Sequence, residues 1–422
     1  MTGYGARTKP AQGVKLDLSA RAVALEDPAG NRAVVVAAEI LGFPPTMSRW
    51  IREEVGRRYH LGPEQLLLNA SHTHSGPAVP ERPSMEVFHG FGEVEAKSVT
   101  DYMEGLRVAL VELVGRALSD LEPATLVFSR TRATYGMNRR LPKEKNVPAL
   151  ADNPAGVTDP DVPVLEIRGS SGKTRAVLFT YACHCTTLGA SMYEYHPDHA
   201  GVACREIERS LPGATALFVN GCSGDINPSP RGTVDLAESH GRTLSEAVLG
   251  ALRAGSGRPV TGRLAMTYRS IDLPLEPAPP RELVAAQVGH KSVYRQRHAK
   301  VTLGMIDGGA FPTAVAFPIL AWRFGTDLLL IGLSGEVTVE YALRLKRELG
   351  PETTWVTGYS NEVPCYIPSE AVLAEGGYEA GWDLEFNRTL ASGSMMYYGW
   401  PTPFRPGIEE RIVRAVHEAA GR

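Results

Sequence analysis

Two rhythms of apolar and polar positions alternate along this chain. Residues 32–40 (RAVVVAAEI) form a continuous, valine-rich apolar run, the pattern of a strand covered on both faces. Residues 46–59 carry apolar positions at helical spacing and stop before Leu61-Gly62-Pro63; residues 65–70 then predict a second strand. A strongly amphipathic helix is predicted over 100–120, with Thr100 or Asp101 as its N-cap. Further strands are predicted over 164–167, 176–182 and 215–219, and helices over 200–211 and 233–253. From 258 to about 280 a strand passes into a Pro-rich connection. Residues 314–333 hold two strands, and 338–349 and 406–420 close the pattern as helices. This interleaving predicts an α/β fold of mixed β-sheets flanked by helices. The expected organisation is one catalytic domain over 1–422, with 256–280 as the candidate internal boundary. How many sheets there are does not follow from the pattern.

Composition adds exclusions. The 422 residues can bury a large core, and 43% hydrophobic with 22% charged residues is ordinary for a globular protein. A formal net charge of −3 gives no reason to expect a nucleic-acid or anionic-membrane partner. No apolar run is long enough for a transmembrane segment. The start, MTGYGARTKPAQG, lacks a hydrophobic signal core, so a cytoplasmic location is expected. Five scattered cysteines do not read as a disulfide framework, which agrees with a reducing compartment. The 43 Gly and 31 Pro imply many turns and a site built from loops.

Chemistry concentrates where apolar strands end. The string NASHTHSGP (69–77) sets His72 and His74 two residues apart at the end of a predicted strand, a spacing that puts both imidazoles on one face of a sheet. His184 follows the strand 176–182, in YACHCTTLGA (181–190). Asp225 and Asn227 stand in the Gly-rich turn of FVNGCSGDINPSP (218–230), and Glu336 lies between a buried strand and a helix. Each has a plainer reading: a packed histidine, a Gly/Asn/Pro loop, a carboxylate favoured at a helix start. Together, His, His and Glu from three strand ends suit a catalytic zinc site with an open position for water.

Six strings occur in the order found in neutral/alkaline non-lysosomal ceramidases: SHTHSGP (71–77), MNR (137–139), the His184 strand end, GDINP (224–228), SGEVT (334–338) and NEVPCYIPSEAVLAEGGYE (361–379). The chain resembles that family over roughly residues 3 to 400, and the resemblance implies a ceramidase-like catalytic domain. It implies zinc ligands at His72, His184, Glu336 and Tyr366. It implies that His74 and Arg139 face the scissile carbonyl, that Tyr378 lies near the reacting group, and that Asp225 matches an acidic residue of the family's Gly-Asp loop, expected to orient a histidine ligand or to assist proton transfer to the leaving amine. Arg139 also fits a surface ion pair, and either tyrosine a core aromatic. Asn227 stands where the family has a serine, so a role needing that hydroxyl is not carried over, and Asn227 is expected to contact substrate instead. The family's C-terminal β-sandwich is not part of this sequence.

Beyond these strings, YEYHPDHAG (193–201) gathers His196, Asp198 and His199. It reads as a polar loop of the substrate pocket, with Asp198 and His199 in contact with substrate, or else as a second metal site. Cys183, Cys185, Cys222 and Cys365 fit either small buried packing or thiolate ligation. The expected function is a zinc-dependent hydrolase that cleaves the amide of a small molecule or of an N-acyl lipid such as ceramide. A zinc esterase or lactonase, or a binding protein that keeps the fold without catalysis, are the alternatives.

Overall fold

A computed structural model describes residues 1–421. Three main sheets carry the chain. One has three strands, Ala20–Glu26, Arg32–Ala38 and Leu66–Ala70 in that order. One has five, in the order Thr215–Phe218, Thr174–Phe179, Asp161–Gly169, Ala124–Arg132 and Arg258–Val260. The third has four, Leu264–Pro274, Ala314–Phe324, Leu328–Leu333 and Thr354–Thr357. The apolar run at 33–38 is covered on both faces, with Ala33, Val35 and Ala37 in one apolar cluster and Val34, Val36 and Ala38 in another, which is why it is apolar throughout.

Each sheet holds one parallel pair, and each of those pairs is joined through a helix: Pro45–Tyr59, Asp198–Ser210 and Val339–Leu349. The connection from 258 to 274 enters two sheets in succession. Arg258–Val260 pairs with Ala124–Arg132, and Leu264–Pro274 pairs with Ala314–Phe324. One apolar cluster draws on all three sheets, with Val35 and Leu67, Phe128 and Leu178, and Trp322 and Trp355 among its members. Burying side chains of this size stabilises the fold by roughly 1.5–3 kcal/mol each.

Most predicted elements occur within a few residues of their expected limits. The long helix is the main exception: it runs Glu93–Ser119, and Thr100 lies inside it with its hydroxyl donating to the Ala96 carbonyl. Its first turns face solvent, with Val94 81% exposed, so no apolar stripe marks them in the sequence. Glu93 and Glu95 favour that start through the helix dipole. The strand Thr354–Thr357 is too short to announce itself, and helix Val293–Asp307 is too evenly polar.

The strand ends of the three sheets are tied together by two buried asparagines. Asn69 donates to the Gly358 carbonyl at 2.8 Å and accepts from the Asn220 backbone N–H at 2.8 Å. Asn220 donates its amide to the Ser71 carbonyl at 3.0 Å. These bonds draw together the carboxyl ends of Leu66–Ala70, Thr215–Phe218 and Thr354–Thr357, the end of open α/β sheets at which ligands bind.

Candidate metal centre

His72 follows strand Leu66–Ala70, His184 follows Thr174–Phe179, Glu336 follows Leu328–Leu333 and Tyr366 comes after Thr354–Thr357. The strand before His72 stops at Ala70, and His72 itself takes a left-handed backbone conformation, φ 65°. The expected alternation along a strand therefore does not operate at His72 and His74. The two rings nevertheless meet, Nε2 to Nε2 at 3.1 Å, because the turned backbone swings His72 round. A non-glycine residue in this region costs roughly 1–2 kcal/mol. The His72 N–H bond to the Ile40 carbonyl, 3.0 Å, helps to hold it.

Glu336 starts a two-residue parallel bridge in which it stands opposite Tyr366. Gly335, at φ 78°, makes the preceding turn. Gly224 lies so close beneath that a Cβ there would be 2.6 Å from the Glu336 carbonyl oxygen. The Gly-rich loop thus lets two strand ends touch.

The donor atoms converge. Oε2 of Glu336 is 3.0 Å from Nε2 of His72 and 3.0 Å from Nε2 of His184. The Tyr366 hydroxyl is 3.2 Å from His184 Nε2. Among the described residues, His72, His74 and His184 are the group of potential metal ligands whose atoms all lie within 4.8 Å of one another. His72 Nδ1 contacts the Leu41 carbonyl at 2.5 Å, and His184 Nδ1 the Ser223 carbonyl at 2.5 Å. A carbonyl only accepts, so both Nδ1 atoms carry the proton. Burial, and then the Arg139 charge, push His184 down to about 3, so its Nε2 presents a lone pair. Burial alone would raise Glu336, but the neighbouring imidazoles hold it well below the usual carboxylate range, ionised. Two imidazole nitrogens thus converge on one carboxylate oxygen, an arrangement that fits a bound cation. Tetrahedral zinc, with bonds near 2.0–2.1 Å, sets neighbouring donors roughly 3.3 Å apart, close to the spacing found.

His72, Glu336 and Tyr366 form the floor of a cavity of about 370 Å³. His72, His74, Glu336, Tyr366 and Tyr378 line it, with Val79, Phe88, Met305, Tyr397 and Trp400 among its apolar walls. Volume and lining suit a small apolar ligand or part of a larger one. His74 packs between Tyr4, ring centroids 4.9 Å apart, and Gly3. Its Nδ1 is buried without a partner, and burial keeps the ring neutral.

Arg139 does not reach the cavity. It lies buried one layer behind Tyr366 and Tyr378, its guanidinium 5.6 and 5.7 Å from their ring centroids. It donates to the Tyr366 hydroxyl at 2.9 Å, to Asn227 Oδ1 at 3.2 Å and to Glu379 Oε1 at 2.8 Å. Asn227 is thus a support for Arg139 and not a lining residue; its amide oxygen also accepts from Thr186 at 3.0 Å.

Asp225 is likewise outside the cavity. Its Oδ1 accepts from the Val339 N–H at 2.8 Å, capping helix Val339–Leu349, and its Oδ2 from Asn138 at 3.0 Å. Asp198 and His199 are buried at the start of helix Asp198–Ser210 and pair with each other at 3.1 Å, with His199 against Tyr135 and Phe218. The helix start draws this loop into the core, away from the cavity. Cys183, Cys185, Cys222 and Cys365 are buried among apolar residues that push their thiols up, so they pack as small hydrophobes.

Three residues not singled out from the sequence belong to the site. Tyr398 donates to Glu336 Oε1 at 2.6 Å, Glu379 anchors both Arg139 and Arg140, and Tyr359 packs at a tilt against His72 with centroids 4.6 Å apart. Glu379 ends the string 361–379, but nothing in a lone carboxylate announces two buried arginines as its partners.

The Asp225 carboxyl is pushed up to about 7, by burial first and then by the charge of Glu340. The folded chain therefore keeps a proton that the unfolded chain loses near pH 4. Stability from this group should fall as pH rises from about 4 to about 7, then level off. Urea midpoints measured across that range should show the fall, and Glu340→Gln should flatten it. An unchanged slope in that variant would sink the attribution.

The sequence signature described as "Neutral/alkaline non-lysosomal ceramidase, N-terminal" matches residues 1–248. The chain belongs to this family. The neutral ceramidase of Pseudomonas aeruginosa is 22% identical over 466 aligned positions, covering 94% of this chain and 68% of that protein. Neutral ceramidase A of Dictyostelium discoideum is 25% identical over 260 positions, 55% of this chain and 34% of that one. The chain thus spans about two thirds of the first relative's length and about a third of the second's. The crystal structure of the Pseudomonas aeruginosa neutral ceramidase shares the fold, with a TM-score of 0.71 at 20% identity over 100% of this chain and 72% of that one. A ceramidase complexed with C2 superposes with a TM-score of 0.70 at 18% identity, over 99% and 72%. The mixed α/β architecture of the family is the fold of this chain. Among the described residues no helix is long and apolar enough to cross a membrane.

Proposed function

We propose that this chain is a zinc-dependent hydrolase that cleaves the amide bond of an N-acyl lipid of the ceramide type. The observation that carries the reading is the convergence of His72 Nε2 and His184 Nε2 on Glu336 Oε2, 3.0 Å from each, beside an apolar cavity that His72 and Glu336 line. Family membership and the names of the relatives support the substrate class.

His72, His184, Glu336 and Tyr366 would hold the ion. The chemistry that zinc supplies at such donors is polarisation of a carbonyl and acidification of water towards a pKa of ~7. The remaining roles belong to the chain. Apolar walls that include Val79, Phe88 and Trp400 would take the acyl chain and exclude water. His74 and Tyr378, both lining the cavity, would donate to the developing oxyanion. Arg139 acts through Tyr366: by donating to the phenol oxygen it fixes the direction in which that oxygen points. The leaving amine must gain a proton; His74, neutral in the cavity, would take it from the attacking water and hand it on to the amine. Asp225, remote behind the helix cap, has no part in that transfer.

Metal analysis of the purified protein, with hydrolysis of an N-acyl amide and its matching ester, tests the reading. About one zinc per chain is expected, with amide cleavage lost on chelation and restored by zinc. A metal-free protein indifferent to chelator would favour a binding protein, and cleavage of the ester alone an esterase or lactonase. Either result overturns the proposal.

A further inference from the structure

Glu336 uses its two oxygens differently. Oε2 faces His72 and His184, 3.0 Å from each, whereas Oε1 accepts a 2.6 Å hydrogen bond from the Tyr398 hydroxyl. Tyr398 is the last residue of helix Gly393–Tyr398, and Gly399 ends that helix in the left-handed conformation, φ 83°. Gly399 is pressed against Pro83, where a Cβ would come within 2.6 Å of the proline Cβ, and Trp400 donates its indole N–H to the Pro364 carbonyl at 2.9 Å. The backbone just after Tyr398 is therefore held at two successive residues, which fixes the helix end that carries the phenol.

We infer that Tyr398 is a positioning residue that restricts Glu336 to one-oxygen ligation and so keeps a coordination position open toward the cavity. Without the phenol, Oε1 is free to swing inward, and a carboxylate that binds through both oxygens fills the position that water or substrate needs. The phenol also fixes the direction of Oε2, so its loss lowers affinity as well. Hydrogen bonds of this kind to a metal-binding carboxylate are commonly worth 10–100-fold in metal affinity. The inference rests on the zinc reading above.

Tyr398→Phe keeps the ring and removes the one bond to Glu336. Zinc affinity is measured by competition with a chromophoric chelator, alongside thermal melts of the metal-free proteins. The expected result is zinc bound about 10–100-fold more weakly, with the metal-free melt close to that of the parent. The kcat for the amide should fall more than KM rises. Tyr397→Phe, which removes a cavity phenol with no bond to Glu336, should leave zinc affinity unchanged. If the parent binds zinc and Tyr398→Phe binds it within twofold as tightly, this inference fails and the zinc reading stands. If Tyr397→Phe weakens zinc equally, the effect is a general one of the cavity wall and the inference also fails. A parent that takes up no zinc overturns the zinc reading itself, and the inference with it.

Discussion

Glu336→Gln should cost about 10³-fold in zinc affinity and take amide hydrolysis down with it. Two effects add. The variant removes the one carboxylate that both imidazoles face, and at an effective dielectric near 20 a unit charge a few ångströms from a cation is worth about 4 kcal/mol. It also supplies an amide N–H that can donate to His184 Nε2, which satisfies the lone pair and removes the need for a cation. The Gln side chain nearly matches Glu in shape, so circular dichroism should be unchanged. Chelator competition and steady-state rates on an N-acyl amide check this; a variant that keeps both zinc and full activity would remove Glu336 from the site. His72→Ala serves as the companion control.

Glu379→Gln should be the most destabilising single exchange near the site, by about 3–5 kcal/mol, because it leaves buried positive charge without its partner. Arg139 and Arg140 are each 5% exposed, and Glu379, 2% exposed, is bonded to both at 2.8 and 2.7 Å. Arg140 keeps Glu375 at 2.9 Å, but among the described residues Arg139 has no second ion-pair partner. The same loss frees Arg139 from its aim at Tyr366, so the rate should fall in whatever fraction remains folded. Urea denaturation gives the stability and active-site titration the folded fraction. A loss below about 1 kcal/mol would mean that the charges are solvated some other way.

Much of the fold is legible in the chain because burial imposes periodicity. The doubly covered strand 32–38 and the helices 45–59 and 339–349 each carry their pattern locally. Elements that lack it are silent: the solvent-facing start of helix Glu93–Ser119, the short strand Thr354–Thr357 and the helix that ends in Tyr398. The site divides in the same way. His72, His184, Glu336 and Tyr366 sit in strings whose order along the chain resembles one family, and the folded chain brings all four together. Asp198, His199 and Asp225 have the same kinds of side chain in equally polar strings, yet they face a core or a helix end.

By itself the sequence determined the strands and helices that carry an apolar period, which family the chain resembles and which residues could hold a metal, because residue type and local spacing carry that information. Only the tertiary structure decided direction. It turned His72 out of the strand, set Arg139 behind Tyr366, withdrew Asp225 to a helix cap and brought Tyr398 and Glu379 into play from distant segments. The physical reason is that these relations are contacts across the chain between side chains whose partners leave no mark on the residues around them.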